Sequence, residues 1–247
     1  GLTSDTRING VCFTGSTATA QAINRSMANH LEPSAPLIAE TGGLNAMIVD
    51  STALPEQAIK DVLASAFQSA GQRCSALRML YVQDDVADIF LTMLYGAMDE
   101  LNIGDPWDLA SDSGPLISAQ AQNEISDYLN AARSEDRLLK QRAVPSKGFF
   151  IPPSVIKVAG IEDLPREIFG PVLHVTTFNA DELDDILDAV NAKGFGLTFG
   201  LHTRIDDRVA HVTDRLKVGN MYINRNQIGA VVGSQPFGGE GLSGTGP

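Results

Sequence analysis

The sequence predicts an α/β fold built on a doubly wound, mainly parallel sheet. Short apolar runs alternate with amphipathic runs of ten or more residues, the pattern of strands covered by helices on both faces. The 247 residues, 43% hydrophobic and 19% charged, suffice for a sizeable core. Neither an internal repeat nor a low-complexity linker interrupts the alternation. One domain boundary is expected near Asp50, where a glycine-rich region gives way to continuous βα units.

Taken in order, Val11-Cys12-Phe13-Thr14 reads as a short buried strand, with Cys12 in the core, closed by Gly15-Ser16-Thr17. Residues 18–31 read as a helix with Ala22, Ile23, Met27 and Leu31 on one face. Residues 36–50 read as two short strands around Gly42-Gly43. Residues 54–70 put Ala58, Val62, Leu63, Ala66 and Phe67 on one helical stripe, and 77–82 is strand-like. A helix over 86–101 points Leu91, Leu94, Met98 and Leu101 inward and stops at Gly104 and Pro106, with Trp107 covering the turn. Residues 118–132 repeat the pattern with Ile125, Tyr128, Leu129 and Ala132, and 133–141 are charged and exposed. Pro152 and Pro153 confine the β-rich stretch 149–156 to an edge or a bend. Strands through 175–178, 197–203 and 220–224 then alternate with helices at 181–192 and 206–216.

Composition excludes some classes of partner. Eighteen basic against thirty acidic residues give a net charge of −12, which disfavours nucleic acid and anionic membrane. No apolar run approaches the ~18 residues of a membrane span. Two cysteines, Cys12 and Cys74, make no disulfide framework and no metal-ligand spacing, so a reducing, cytoplasmic compartment and no bound metal are expected. The four histidines lack metal spacing and read as surface or structural residues. The chain begins at Gly1 without methionine and ends at Pro247 in a glycine-rich stretch, so a piece of a longer polypeptide is expected.

Three stretches carry candidate chemistry. In Gly71-Gln72-Arg73-Cys74-Ser75 a thiol sits on a loop between helix and strand. There it can reach a cleft, and Arg73 beside it would favour the nucleophilic thiolate. The alternative is a small buried hydrophobe. Glu40 ends an apolar run just before flexible backbone; it reads as a general base if desolvation raises its pKa, or as a solvated strand-end carboxylate. Gly15-Ser16 between strand and helix reads as an anion site at a helix N-terminus, or as a capped βα turn.

Five motifs stand in a telling order: Phe13-Thr14-Gly15-Ser16, Glu40-Thr41-Gly42-Gly43, Gly71-Gln72-Arg73-Cys74, Glu167-Ile168-Phe169-Gly170-Pro171 and Pro236-Phe237-Gly238-Gly239. Together they resemble the aldehyde dehydrogenase superfamily along essentially the whole chain. The wording Ala39-Glu40-Thr41-Gly42-Gly43, Cys74-Ser75-Ala76-Leu77-Arg78 and Glu240-Gly241-Leu242-Ser243-Gly244 resembles one branch. That branch is the L-glutamate γ-semialdehyde (pyrroline-5-carboxylate) dehydrogenases of the bifunctional proline-utilisation enzymes.

The resemblance implies NAD-dependent oxidation of L-glutamate γ-semialdehyde through a thiohemiacetal and a thioacyl adduct. It gives Cys74 as nucleophile and Glu40 as the base that activates water. It gives Gly15 and Ser16 to the cofactor pyrophosphate, Glu167 to the nicotinamide-side ribose and Phe169 to the ring. Ser75, Gly229 and Ala230 resemble the clamp for the substrate α-carboxylate, although Gly229-Ala230 also reads as a plain flexible turn. By the same resemblance, residues 1–50 are a remnant of the NAD-binding Rossmann-like domain. Residues 51–247 are the catalytic domain, cut before its dimerising C-terminal segment. An upstream proline dehydrogenase part would hold the FAD, and the full-length protein would be a homo-oligomer. Weak NAD binding and little turnover are expected of the chain by itself. Another branch acting on a different semialdehyde, or a non-catalytic scaffold of the same fold, are the alternative readings.

Overall fold

The computed structural model describes residues 1–231 and 233–246. The chain runs through β1 (Val11–Thr14), α1 (Thr17–His30), β2 (Leu37–Glu40), β3 (Ala46–Val49), α2 (Pro55–Phe67) and β4 (Met79–Gln83). It continues through α3 (Asp84–Asp99), α4 (Ala119–Ser134), β5 (Leu138–Gln141), β6 (Ser154–Lys157) and β7 (Val172–Phe178). It ends with α5 (Leu183–Ala192), β8 (Phe195–Gly196), β9 (Thr198–His202), α6 (Asp206–Arg215), β10 (Asn220–Ile223) and β11 (Glu240–Gly241).

Seven strands form one sheet in the order β10-β9-β3-β4-β7-β6-β5, parallel throughout except for the antiparallel β5–β6 pair. Alternate strand residues feed two cores, which is the geometry of a doubly covered sheet. Met47, Val49, Leu80 and Val82 face Ala58, Val62, Ala66 and Phe67 of α2 and Phe90, Leu94 and Met98 of α3. Ala46, Ile48, Met79 and Tyr81 point the other way, into a core shared with Ile125 and Leu129 of α4, Leu187 of α5 and Val212 of α6. Burying one such aliphatic or aromatic side chain contributes about 1.5–3 kcal/mol, so these stripes hold the helices to the sheet.

Just before Asp50, β3 lies at the centre of the large sheet, between β4 and β9. Upstream, β1 and β2 pair in a separate two-stranded parallel sheet. Four expectations need correction. The charged stretch after α4 contains strand β5, and this takes the edge, with Lys140 paired to Asp99 at 2.6 Å. β6 is interior because Pro152 and Pro153 precede it, so they remove no ladder hydrogen bond. Cys12 points out of β1 and is exposed, since among the described residues nothing covers that face of the small sheet. Trp107 is 94% exposed and covers nothing.

The amide of Gly15 donates to the Glu40 carbonyl at 3.1 Å, and the amide of Thr41 donates to the Ser243 carbonyl at 2.8 Å. Glu40 also bridges to Gly244, while β11 pairs with β8. The C-terminal segment therefore ties the end of β2 to β8, the short strand that leads into β9 of the large sheet.

Candidate active site

The loop that carries Cys74 begins where α2 ends at Phe67. Ser69, Ala70 and Gly71 follow with φ of 56°, 54° and 65°, three successive left-handed residues. Such backbone costs non-glycine residues of order 1–3 kcal/mol each and persists only where its surroundings over-determine it. The surroundings are visible. A β-carbon at Gly71 would collide with the Gly170 carbonyl, so only glycine permits that approach. Asn45, buried at the entrance to β3, donates from Nδ2 to the carbonyls of Cys74 at 2.7 Å and Ala76 at 2.9 Å. Its Oδ1 accepts from the Thr198 amide at 3.1 Å. Three parts of the chain are thus locked around the thiol by one amide side chain.

Glu40 stands at the end of β2, half-buried. Its Oε2 accepts from the Gly239 amide at 2.9 Å. Burial raises its pKa above the ordinary carboxylate value, and the Gly239 hydrogen bond pulls it partway back.

Glu167 lies against the glycines that follow Glu40. A β-carbon at Gly42 would collide with its Oε2, and the Gly43 amide favours its charged form. Its Oε1 accepts from Arg78 at 3.0 Å. Burial pushes the Glu167 carboxyl up, and the Arg78 guanidinium pulls it down. Arg78 is wholly buried and also donates to the carbonyls of Gly170 at 3.1 Å and Arg73 at 3.0 Å. The Phe169 ring, 46% exposed, lies with its centroid 5.4 Å from the guanidinium carbon.

The Cys74 thiol is pushed above its ordinary pKa, first by burial and next by the charge of Glu167; Glu40 adds to the same effect. The amides of Ser75 and Cys74 act in the opposite sense by hydrogen bonding to the sulfur. Cys74, Glu40 and Glu167 therefore lie within electrostatic reach of one another. The expected activation by Arg73 is not found: its Nε donates to Ser69 Oγ at 3.1 Å, away from the sulfur.

The remaining candidates are placed as follows. Ser16 caps α1, its Oγ accepting from the Thr19 amide at 3.2 Å, and Gly15 and Ser16 are both exposed. That leaves the first-turn amides of α1 outward, the donors a pyrophosphate needs. The Glu167 side chain keeps 16% of its surface exposed and Phe169 offers an open ring face, so both fit the ribose and ring of a dinucleotide. Ser75 is buried beside Cys74, and its carbonyl accepts from Thr198 Oγ1 at 3.2 Å. Gly229 and Ala230 are exposed, Gly229 with φ of 81° and open space around it.

Three residues that position the site were given no role in the sequence reading: Asn45, Arg78 and Gln227. The first two had a signal, since each is a polar side chain inside an otherwise apolar run, Leu44 to Val49 and Ala76 to Val82. Gln227 had none. It anchors the loop before Gly229 by donating from its amide to Ser65 Oγ at 3.1 Å, and its Nε2 reaches the Ser75 carbonyl at 3.5 Å.

A family model for the aldehyde dehydrogenase family matches residues 1–247. The bifunctional protein PutA of Klebsiella aerogenes is 54% identical over the whole chain, which spans 20% of that protein's length. The 1-pyrroline-5-carboxylate dehydrogenase of Geobacillus thermodenitrificans is 39% identical over 85% of the chain and 41% of its own length. Among solved structures, proline utilisation A of Bradyrhizobium japonicum superposes with a TM-score of 0.96 at 51% identity, covering all of this chain and 25% of that one. The 1-pyrroline-5-carboxylate dehydrogenase from Thermus with bound NAD superposes with a TM-score of 0.89 at 32% identity, covering 99% of this chain and 48% of that one.

Proposed function

This chain belongs to the aldehyde dehydrogenase family, and we propose that it supplies the catalytic residues for NAD-dependent oxidation of L-glutamate γ-semialdehyde to L-glutamate. The observation that carries the reading is the convergence on one thiol: Glu40 and Glu167, from separate segments, both act on Cys74 through space. The substrate follows from the relatives, which are proline-utilisation proteins and 1-pyrroline-5-carboxylate dehydrogenases.

Cys74 rests as a protonated thiol, because burial and two carboxylates oppose its charge. Its proton must leave as the sulfur attacks the aldehyde carbon, and Glu40, made more basic by burial, is the acceptor at hand. The amide of Cys74 donates to the oxygen that becomes negative, a fixed dipole aimed where charge develops. Ser75 and the exposed amides around Gly229 and Ala230 receive the α-carboxylate without a cationic side chain. NAD bound along Gly15, Ser16, Glu167 and Phe169 would supply the hydride acceptor. The carbon is then a thioester on Cys74. Glu40, once it has passed the thiol proton to solvent, takes a proton from water, the hydroxide adds to the thioester carbon, and cleavage of the C–S bond releases glutamate and leaves the sulfur to regain a proton as the thiol.

The test is steady-state oxidation by the full-length protein, comparing L-glutamate γ-semialdehyde with succinic semialdehyde. Preference for the α-amino acid aldehyde and complete loss of activity in Cys74→Ala are expected. Faster oxidation of the aldehyde without the amino acid group would reject the substrate.

A further inference from the structure

Arg78 makes more of its charge than an ion pair requires. Its guanidinium is fully buried and joins two parts of the site: on the segment 167–170 it reaches Oε1 of Glu167, the carbonyl of Gly170 and the open ring of Phe169, and on the Cys74 loop it reaches the carbonyl of Arg73. Among the described residues its Nε alone of the guanidinium nitrogens has no partner. An ion pair so far from water contributes little to net stability, because desolvation offsets the attraction. A planar fork, however, fixes several acceptors in one geometry, which a lysine ammonium cannot do. The Glu167 carboxylate is pinned from the other side by Gly42, where any side chain would collide with it.

We propose that Arg78 is a positioning residue that holds the Glu167 carboxylate and the Cys74 loop in one register, so that the cofactor and the nucleophile are aligned by a single buried side chain. The proposal rests on the reading of Glu167 as the cofactor-ribose ligand. Arg78 acts through Glu167 on cofactor affinity and through the Arg73 carbonyl on the thiol.

The test is the affinity of the full-length protein for NAD⁺, by titration calorimetry, across Arg78→Lys, Glu167→Gln and the double variant. Losing a charged hydrogen bond to a ribose hydroxyl weakens binding about tenfold. Glu167→Gln and Arg78→Lys should each show a loss of that size, and the double variant should bind no more weakly than Glu167→Gln. A merely structural arginine would give losses that multiply. Gly42→Ala offers a route that leaves Arg78 intact, so the proposal stays testable if Arg78→Lys does not fold. Its methyl group displaces the carboxylate from the guanidinium, and it should weaken NAD⁺ binding by a similar factor and add nothing to Glu167→Gln. Unchanged affinity in Glu167→Gln would overturn both the ribose role and this coupling. Weakened binding in Glu167→Gln with normal binding in Arg78→Lys or in Gly42→Ala would overturn the coupling alone, as would losses that multiply.

Discussion

The amide of Gly239 donates to Oε2 of Glu40 at 2.9 Å, across 199 residues of sequence. The base candidate is therefore held by the backbone of the Pro236-Phe237-Gly238-Gly239 turn, so two motifs far apart in the chain form one unit.

Glu40→Gln keeps that arrangement, because a glutamine oxygen still accepts from the Gly239 amide, while basicity is lost. Stability should change by less than about 1 kcal/mol, whereas thioester hydrolysis should slow by about 10²–10⁴-fold. Mass spectrometry of the full-length variant given aldehyde and NAD⁺ should then find a thioacyl adduct on Cys74. Absence of the adduct alongside lost turnover would remove Glu40 from deacylation. The pH profile carries a second sign. A base works only when deprotonated, and burial raises the Glu40 pKa. The acidic limb of turnover should therefore lie above the ordinary carboxylate range.

Cys74 and Cys12 should label in an order opposite to that expected of an activated nucleophile. Cys12 is exposed, whereas the Cys74 thiol is held above its ordinary pKa by burial and by Glu167. With cofactor absent and near neutral pH, iodoacetamide should modify Cys12 first, and Cys74 should catch up only as the pH is raised. Glu167→Gln should bring the Cys74 profile toward lower pH. Faster labelling of Cys74 in the unmodified protein would contradict this electrostatic picture.

Asn45→Ala leaves three buried partners without a hydrogen bond, the carbonyls of Cys74 and Ala76 and the amide of Thr198. An unsatisfied buried group costs about 1–3 kcal/mol, and relaxation recovers part of that, so a loss of about 3 kcal/mol is expected in denaturant unfolding. The freed nucleophile loop should also lower kcat with little change in KM for NAD⁺. A loss below about 1 kcal/mol would show that the loop holds itself.

How much of this was legible in the sequence depends on the kind of interaction. The apolar stripes of α2 and α3 were, because helical periodicity is a local property: Ala58, Val62, Ala66, Leu94 and Met98 are all in the core. β5 was hidden, since an edge strand can carry charge and Lys140 faces Asp99 across 41 residues. Cys12 looked like core because an apolar strand says nothing about whether a layer covers it. At the site, the resemblance supplied Cys74, Glu40 and Glu167, but local sequence misassigned the influence on the thiol to Arg73. Burial and Glu167 act on the thiol instead, and Arg78, five residues from Arg73, reaches that carboxylate across 89 residues.

His174 offers a test of the layer behind Arg78. Its ring is fully buried, Nδ1 lying 2.8 Å from the Arg78 carbonyl and Nε2 2.8 Å from the Tyr128 hydroxyl. A carbonyl can only accept, so Nδ1 carries the proton and Nε2 accepts from Tyr128. Burial lowers its pKa to about 4, with the charges of Arg78 and Arg137 acting in the same direction. The unfolded chain then binds a proton that the folded chain refuses, so the stabilisation is complete above the ordinary histidine value of about 6.5 and is lost as pH falls from there toward about 4. Near pH 5 the loss should reach about 2 kcal/mol relative to neutral pH. Asp50, whose lowered pKa comes from hydrogen bonds to Thr203, Thr52 and Arg208, acts in the same direction only at lower pH, within the carboxylate range. His174→Gln can still donate to Arg78 and accept from Tyr128, but it does not titrate. Its unfolding free energy should be lower near neutrality and should fall less steeply between about pH 7 and 5, the remaining dependence coming from His202, whose pKa burial also lowers. A variant that keeps the steep dependence would place the acid sensitivity elsewhere in the molecule.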